Sequence, residues 1–234
     1  MTPREDELRD DIVRVARRLW ERGLIAGPDG NVSCRLGEER LLITPSGMSK
    51  VDVESSDIVV VDLEGNVVDG DLRPSSEIRM HLRIYSRRED VRAVVHAHPP
   101  MATALGVVGE DLTAPVLPEV ILQMGRVPLV PYQTPGTQAV ADALDPFLAA
   151  HDAFLLANHG ATTLGPSLGV AHQRMESLEH AARIVLAART LGRVRELTPE
   201  QARPLDQARE DARSSARTVA EGSGPRRAGR RPHG

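Results

Sequence analysis

Apolar positions recur at helical spacing near the start of the chain. Leu8, Ile12, Val15, Ala16 and Leu19 alternate with Arg, Asp and Glu, and Gly23 offers a stop, which predicts a first helix. Gly27-Pro28-Asp29-Gly30-Asn31 reads as a loop. Short apolar runs then predict strands at Val32 to Leu36, Leu41 to Thr44 and Ile58 to Leu63, and Val67-Val68 completes a hairpin with the last of these across Glu64-Gly65-Asn66. A helix is predicted from Ser75 to Ser86, with Ile78, Leu82 and Tyr85 on one side, followed by a strand from Val91 to His98 that Pro99-Pro100 stops. Further strands are expected at Val127 to Tyr132, Ala153 to Ala157 and Ala161 to Leu164, and further helices at Thr137 to Ala150 and Leu168 to Leu191. Beyond Thr198 the periodicity decays, and little fixed structure is expected past about residue 210.

Strands and helices interleaved in 234 residues, enough for one substantial core, predict an α/β single domain. The expected architecture is a three-layer α/β/α sandwich around a mixed β-sheet, spanning residues 1–197. Residues 198–234 are expected to form a largely disordered basic extension. From Arg213 to Gly234, six arginines against Glu221 give +5 and leave −9 for the remainder of a chain at −4. Gly, Pro, Ser and Ala fill the gaps in that stretch, so it reads as a solvated tail rather than a nucleic-acid or membrane arm.

Composition narrows the chemistry. Only two Phe, two Tyr and one Trp are present, so no stacked aromatic platform supports binding of single-stranded nucleic acid. Cys34 is the sole cysteine, no apolar run approaches a membrane span, and no signal-peptide pattern opens the sequence. A soluble, cytoplasmic protein without a membrane partner is expected. Lys50 is the only lysine and follows turn-rich sequence, where an exposed side chain is expected. Schiff-base catalysis needs a desolvated lysine, so any carbon–carbon bond chemistry here points to a metal as the electron sink.

His96-Ala97-His98 ends a predicted strand, where positions i and i+2 share a face and can ligate one ion. Alone, such a pair could equally bond locally. His159, in Asn158-His159-Gly160 at the end of a second apolar strand, completes the three-ligand set that catalytic zinc uses with one position open. His81, His172 and His180 lie on predicted helices among charged residues and are expected at the surface or an edge. Ser75-Ser76-Glu77 stands where a helix starts, so the serines could simply cap it or could hold a phosphate there, with Glu77 aimed at the metal as acid/base. Gly30-Asn31 and Ser46-Gly47 are further small polar loops able to donate to phosphate.

Together these motifs resemble a known family. Gly30-Asn31-Val32-Ser33, Ile43-Thr44-Pro45-Ser46-Gly47, Pro74-Ser75-Ser76-Glu77, His96-Ala97-His98 and Asn158-His159-Gly160 occur in the order found in the class II aldolase/adducin superfamily, most like L-fuculose-phosphate aldolases. The resemblance covers about Leu8 to Leu191. It implies phosphate binding by Gly30, Asn31, Ser46, Gly47, Ser75 and Ser76, and one Zn2+ per subunit (or Mn2+ or Co2+) on His96, His98 and His159. Glu77 would be a fourth ligand at rest and the acid/base in turnover. It further implies a homotetramer with interfacial active sites. The reaction would be reversible cleavage of a ketose 1-phosphate, such as L-fuculose 1-phosphate or a deoxypentulose 1-phosphate, to dihydroxyacetone phosphate and an aldehyde.

The match departs from that pattern at the aldehyde end. The fuculose-phosphate enzymes carry a tyrosine from a neighbouring subunit and another near the C-terminus. Here Leu117 occupies or adjoins the first position, and no tyrosine follows Tyr132. Glu119 is the available replacement, or else an ordinary exposed acid. It is also the residue on which a sugar-phosphate dehydratase reading would rest. A ribulose-phosphate 4-epimerase is the other enzymatic alternative, and an adducin-like interaction module is the non-catalytic one.

Overall fold

The computed structural model describes residues 5–222. One eight-stranded sheet runs in the order β4-β3-β2-β1-β5-β8-β7-β6. Its strands are β1 (Asn31–Leu36), β2 (Arg40–Ile43), β3 (Val59–Asp62), β4 (Val67–Asp69), β5 (Ala93–Ala97), β6 (Leu129–Val130), β7 (Ala153–Leu156) and β8 (Gly160–Gly165). Every neighbouring pair is antiparallel except β6 and β7, so the sheet is mixed as expected.

Alternation along the strands divides the core into two layers. Val32 and Cys34 of β1, Val95 and Ala97 of β5 and Ala161 of β8 pack with Ile12, Leu19, Leu105, Met175 and Leu178, which lie on α1 (Glu5–Glu21), α3 (Pro100–Val107) and α6 (Leu168–Leu191). The opposite face, with Ile43, Val94, Phe154 and Leu164, packs on Met80, Ile84 and Leu144 of α2 (Ile78–Arg87) and α5 (Gln138–Leu148). Helices on both faces make the three layers. The small α4 (Pro118–Gln123) packs on α6 and on α7 (Pro199–Gly222).

Several expectations need correction. Lys50 is buried, with Nζ donating to the carbonyls of Pro28 (2.8 Å) and Met48 (2.9 Å), and burial lowers its pKa to about 8. The apparent turn sequence folds inward because those two carbonyls satisfy its donors. His81 and His172 are buried as well, whereas His180 is exposed.

The periodicity past Thr198 also misled. α7 continues to Gly222 and is docked by charge rather than by a broad apolar stripe. Arg209 reaches Asp152 Oδ2 at 3.1 Å, and Arg213 reaches Oδ1 at 3.4 Å and the carbonyls of Ala149 and Ala150 beyond α5. Arg88 and Arg174 contact the same buried carboxylate, at 2.7 and 3.4 Å. The arginine-rich end of the sequence, residues 223–234, lies outside the described residues.

Candidate metal centre

Three imidazoles converge at the end of β5. His96 is the penultimate residue of that strand, on the face shared by Val94, and His98 follows just past its end. His159 sits in the tight turn from β7 to β8. Asn158 adopts φ 55°, the one positive-φ non-glycine residue among those described. Two residues on, position 160 must be glycine, because a Cβ on Gly160 would stand 2.5 Å from the Ala97 carbonyl oxygen and 2.6 Å from the His98 ring. That close approach brings His159 against β5. Ring centroids lie 4.7 Å apart for His96–His159, 5.0 Å for His98–His159 and 5.1 Å for His96–His98.

The donor set fits a divalent ion. One ligand nitrogen from each histidine lies within 4.8 Å of the other two. His96 Nε2 and His98 Nε2 are 3.3 Å apart, and two ligands about 2.05 Å from one tetrahedral ion would be separated by about 3.3 Å. In two of the three histidines the nitrogen pointing away from the cluster has a partner of its own. His96 Nδ1 donates to the Ala161 carbonyl (2.9 Å), and His98 Nδ1 faces Asp29 Oδ2 at 3.4 Å. Such partners fix the tautomer and would leave Nε2 free for an ion.

Glu77 closes the fourth side. Its Oε2 is 3.0 Å from His96 Nε2, while Oε1 is 3.4 Å from His159 Nε2 and is a buried oxygen with no hydrogen-bond partner. An orphaned carboxylate oxygen among three imidazoles is what a cation would satisfy. Burial pushes the Glu77 carboxyl up, but His96, His159 and the Asn31 amide outweigh it and hold the group well below the usual carboxylate range. His96 loses basicity to burial but gains more from Glu77, and its pKa rises. Burial and the His96 charge lower His98, and they bring His159 to about 4. Without an ion, Glu77 and His96 favour each other's charged forms, and a charge on His96 opposes one on His98 or His159.

The six phosphate candidates come from three neighbouring loops. Ser46 N–H donates to the Arg73 carbonyl (2.9 Å), Ser75 N–H to that of Thr44 (3.1 Å), and Thr44 N–H to that of Val32 (3.0 Å). Gly30, Asn31 and Ser75 are buried there, while Ser46, Gly47 and Ser76 are exposed. Gly30 (φ 71°) has no room for a side chain, since a Cβ would meet the His96 carbonyl oxygen at 2.8 Å. The serines do not cap α2, whose N-cap is Glu77 with no side-chain capping bond. Ser75 Oγ instead accepts the Glu77 N–H at 3.3 Å. Ser76 Oγ is thereby left available to a ligand.

Glu119 is not drawn into this cluster. It is exposed in the first turn of α4 and makes no contact with the histidines or Glu77. Leu117 lines a separate apolar cavity of about 100 Å³ with Leu112, Val116, Ile121, Val185 and Val194. The sequence placed Asp29 in a loop without a role and His81 at the surface or an edge, and neither was expected beside the cluster. The cue for His81 was its spacing, one helical turn after Glu77.

Comparison with known proteins points to one family. Residues 10–186 match the family described as Class II Aldolase and Adducin N-terminal domain. The chain is 37% identical over 185 residues to the 3-oxo-tetronate 4-phosphate decarboxylase of Escherichia coli O6:H1, covering 77% of this chain and 87% of that one. It is 35% identical over 194 residues to the 5-deoxy-D-ribulose 1-phosphate aldolase of Bacillus thuringiensis serovar kurstaki, covering 82% and 90%. A solved L-fuculose 1-phosphate aldolase superposes with TM-score 0.81 at 33% identity, covering 86% of this chain and 95% of the other. A match over most of the chain, with the three histidines assembled as the motifs implied, places this protein in the class II aldolase/adducin family.

Proposed function

We propose that the protein is a divalent-metal-dependent carbon–carbon lyase that releases dihydroxyacetone phosphate from a phosphorylated substrate. The observation that carries this reading is Glu77, buried 3.0 Å from His96 Nε2 with one oxygen unpaired, beside loops that present Asn31, Ser46, Ser75 and Ser76. A zinc, manganese or cobalt ion on His96, His98 and His159 would supply Lewis-acid polarisation of the substrate carbonyl and stabilise negative charge on its oxygen. Gly30, Asn31, Ser46, Gly47, Ser75 and Ser76 anchor the phosphate and so fix the reacting carbon. Glu77 delivers the proton that converts the enediolate into product.

Two bond cleavages give the same enediolate. Loss of carbon dioxide from a 3-oxo-tetronate 4-phosphate breaks the bond to the carboxyl carbon, whose electrons pass into the ketone. Aldol cleavage of a ketose 1-phosphate breaks the bond between its third and fourth carbons and must also remove a hydroxyl proton from the departing aldehyde. Leu117 offers no group for that proton, and this favours decarboxylation. It also agrees with the 37% identical relative. The aldolase reading draws on the 35% identical relative. Dehydration would need Glu119, which lies outside the cluster within one chain. A non-catalytic, adducin-like role leaves the assembled histidines without a purpose.

Met101, Val107 and Val108, exposed on α3 and just after it, suit a homotetramer in which a neighbour covers this side of the site. Incubating metal-loaded protein with 3-oxo-tetronate 4-phosphate and a panel of ketose 1-phosphates tests the function. Dihydroxyacetone phosphate should appear with stoichiometric carbon dioxide or aldehyde, and its absence from every reaction would reject the proposal.

A further inference from the structure

Behind Glu77 runs a buried line of polar side chains, of which only Asn31 has a part in the function described so far. Asn31 Nδ2 meets Glu77 Oε2 at 2.9 Å, and Asn31 Oδ1 meets His81 Nε2 at 2.5 Å. His81 Nδ1 lies 2.6 Å from Ser33 Oγ, which lies 2.9 Å from the Tyr85 hydroxyl. Asn31, Ser33, His81 and Tyr85 are each no more than 3% exposed. Strand and helix periodicity bring them together. Asn31 and Ser33 are two apart on β1, and Glu77, the N-cap of α2, is followed at four-residue steps by His81 and Tyr85 on that helix.

The direction of every bond in this line follows from its end. An ionised carboxylate only accepts, so the Asn31 amide nitrogen donates to Glu77 and its oxygen faces His81. That oxygen also only accepts, so His81 carries its hydrogen on Nε2. Complete burial lowers the His81 pKa to about 3, and a neutral imidazole has a single N–H, so Nδ1 accepts from the Ser33 hydroxyl. The Ser33 proton is then committed, and the Tyr85 hydroxyl must donate to Ser33 Oγ. Rotating the Asn31 amide would set its oxygen against the Glu77 carboxylate and its nitrogen against the His81 N–H, losing two buried bonds.

We infer that Tyr85, Ser33 and His81 form a one-way hydrogen-bond chain that locks the Asn31 amide with its nitrogen toward Glu77, making His81 a positioning residue for the acid/base and for the phosphate contact of Asn31. The inference rests on the proposed function for what is being positioned. One N–H of the Asn31 amide serves Glu77, and the other remains for a ligand oxygen. His81 touches neither substrate nor metal and acts only through Asn31.

The test uses the full, metal-loaded protein, nitrogen-15 NMR of its histidines, inorganic phosphate as ligand, and hydrogen exchange of dihydroxyacetone phosphate in deuterated water. In the wild type, His81 should show a protonated Nε2 and an unprotonated Nδ1 that does not titrate between about pH 5 and 9, as its lowered pKa requires. His81→Leu should keep its metal but lose about tenfold in phosphate affinity and at least about tenfold in exchange rate, the worth of one lost positioning bond. His81→Gln, whose amide N–H can still reach Asn31 Oδ1, should recover most of both losses. A hydrogen on Nδ1 in the wild type, or wild-type exchange in His81→Leu, overturns the inference. If the wild type exchanges nothing and binds no phosphate, the proposed function fails instead. The tautomer, read in the unmodified protein, still decides the chain.

Discussion

Asn31 and His96 are register partners across the β1–β5 ladder, and the Glu77 carboxylate lies within 3.0 Å of both side chains. A one-residue slip of β1 would turn Asn31 and Ser33 into the apolar layer under α1 and α6. The register is held by Val32 and Cys34, which are buried in that layer, so core packing and site geometry are specified by the same strand.

Metal binding should depend on the histidines singly. Wild-type protein is expected to hold about one divalent ion per chain by elemental analysis. His96→Ala and His159→Ala should each fall close to zero, since each removes one of the three imidazoles that converge on a single point and leaves a gap in its place. Full occupancy in both variants would remove the metal centre from the account.

Acid should destabilise the metal-free protein in a defined window. His81 and His159 have folded pKa values lowered from 6.5 to about 3 and about 4, by burial first and the His96 charge second. Between pH 6.5 and about 4 the unfolded chain therefore binds more protons, and stability falls as pH falls. The slope is about 1.4 kcal/mol per pH unit for each histidine. His96, with a raised pKa, acts in the opposite sense only above pH 6.5. Urea unfolding at pH 7 and pH 5 checks this, and equal midpoints would contradict it.

Asp152 should be the linchpin of α7. It is 2% exposed and faces Arg88, Arg174, Arg209 and Arg213. Asp152→Ala would remove the buried carboxylate that these four guanidiniums share, at a cost of about 3–5 kcal/mol. We expect truncation after Thr218 to leave activity nearly intact, whereas truncation before Pro199 removes two of those arginines and should lower the melting temperature. Thermal unfolding of the three proteins makes the comparison.

Phosphate recognition should fail when charge is placed beside it. Ser75→Asp puts a carboxylate next to the Glu77 N–H and among the three loops, and like-charge repulsion should raise the inhibition constant of inorganic phosphate at least about tenfold. Competition kinetics measure this. An unphosphorylated sugar processed as well as its phosphate would argue against an anion site.

Much of this site was legible in the sequence because strand ends and turns carry local signatures. His-x-His brings two imidazoles to one strand end, and Asn-His-Gly marks a turn that only glycine can close against Ala97. His81 and Lys50 were misread because local sequence does not reveal burial. Each is buried by partners from distant loops, Asn31 and Ser33 for the first and Pro28 for the second. α7 was missed for a related reason. Its anchor is a carboxylate some sixty residues earlier, so hydrophobic periodicity could not announce it. α3 begins at Pro100, which read as a break, and α4 begins at Pro118, although proline is well suited to a first helical turn.

The most direct test of the central claim is hydrogen exchange between dihydroxyacetone phosphate and deuterated water, followed by NMR. It needs neither an aldehyde nor a 3-oxo acid, because decarboxylase and aldolase share the enediolate and its protonation. Metal-loaded wild-type enzyme should exchange one hydroxymethyl proton stereospecifically, and metal-stripped enzyme should not. Glu77→Gln keeps the shape of the side chain but removes the proton carrier, and its exchange should fall by roughly 10²–10⁴-fold. Exchange at the wild-type rate in Glu77→Gln would contradict the account.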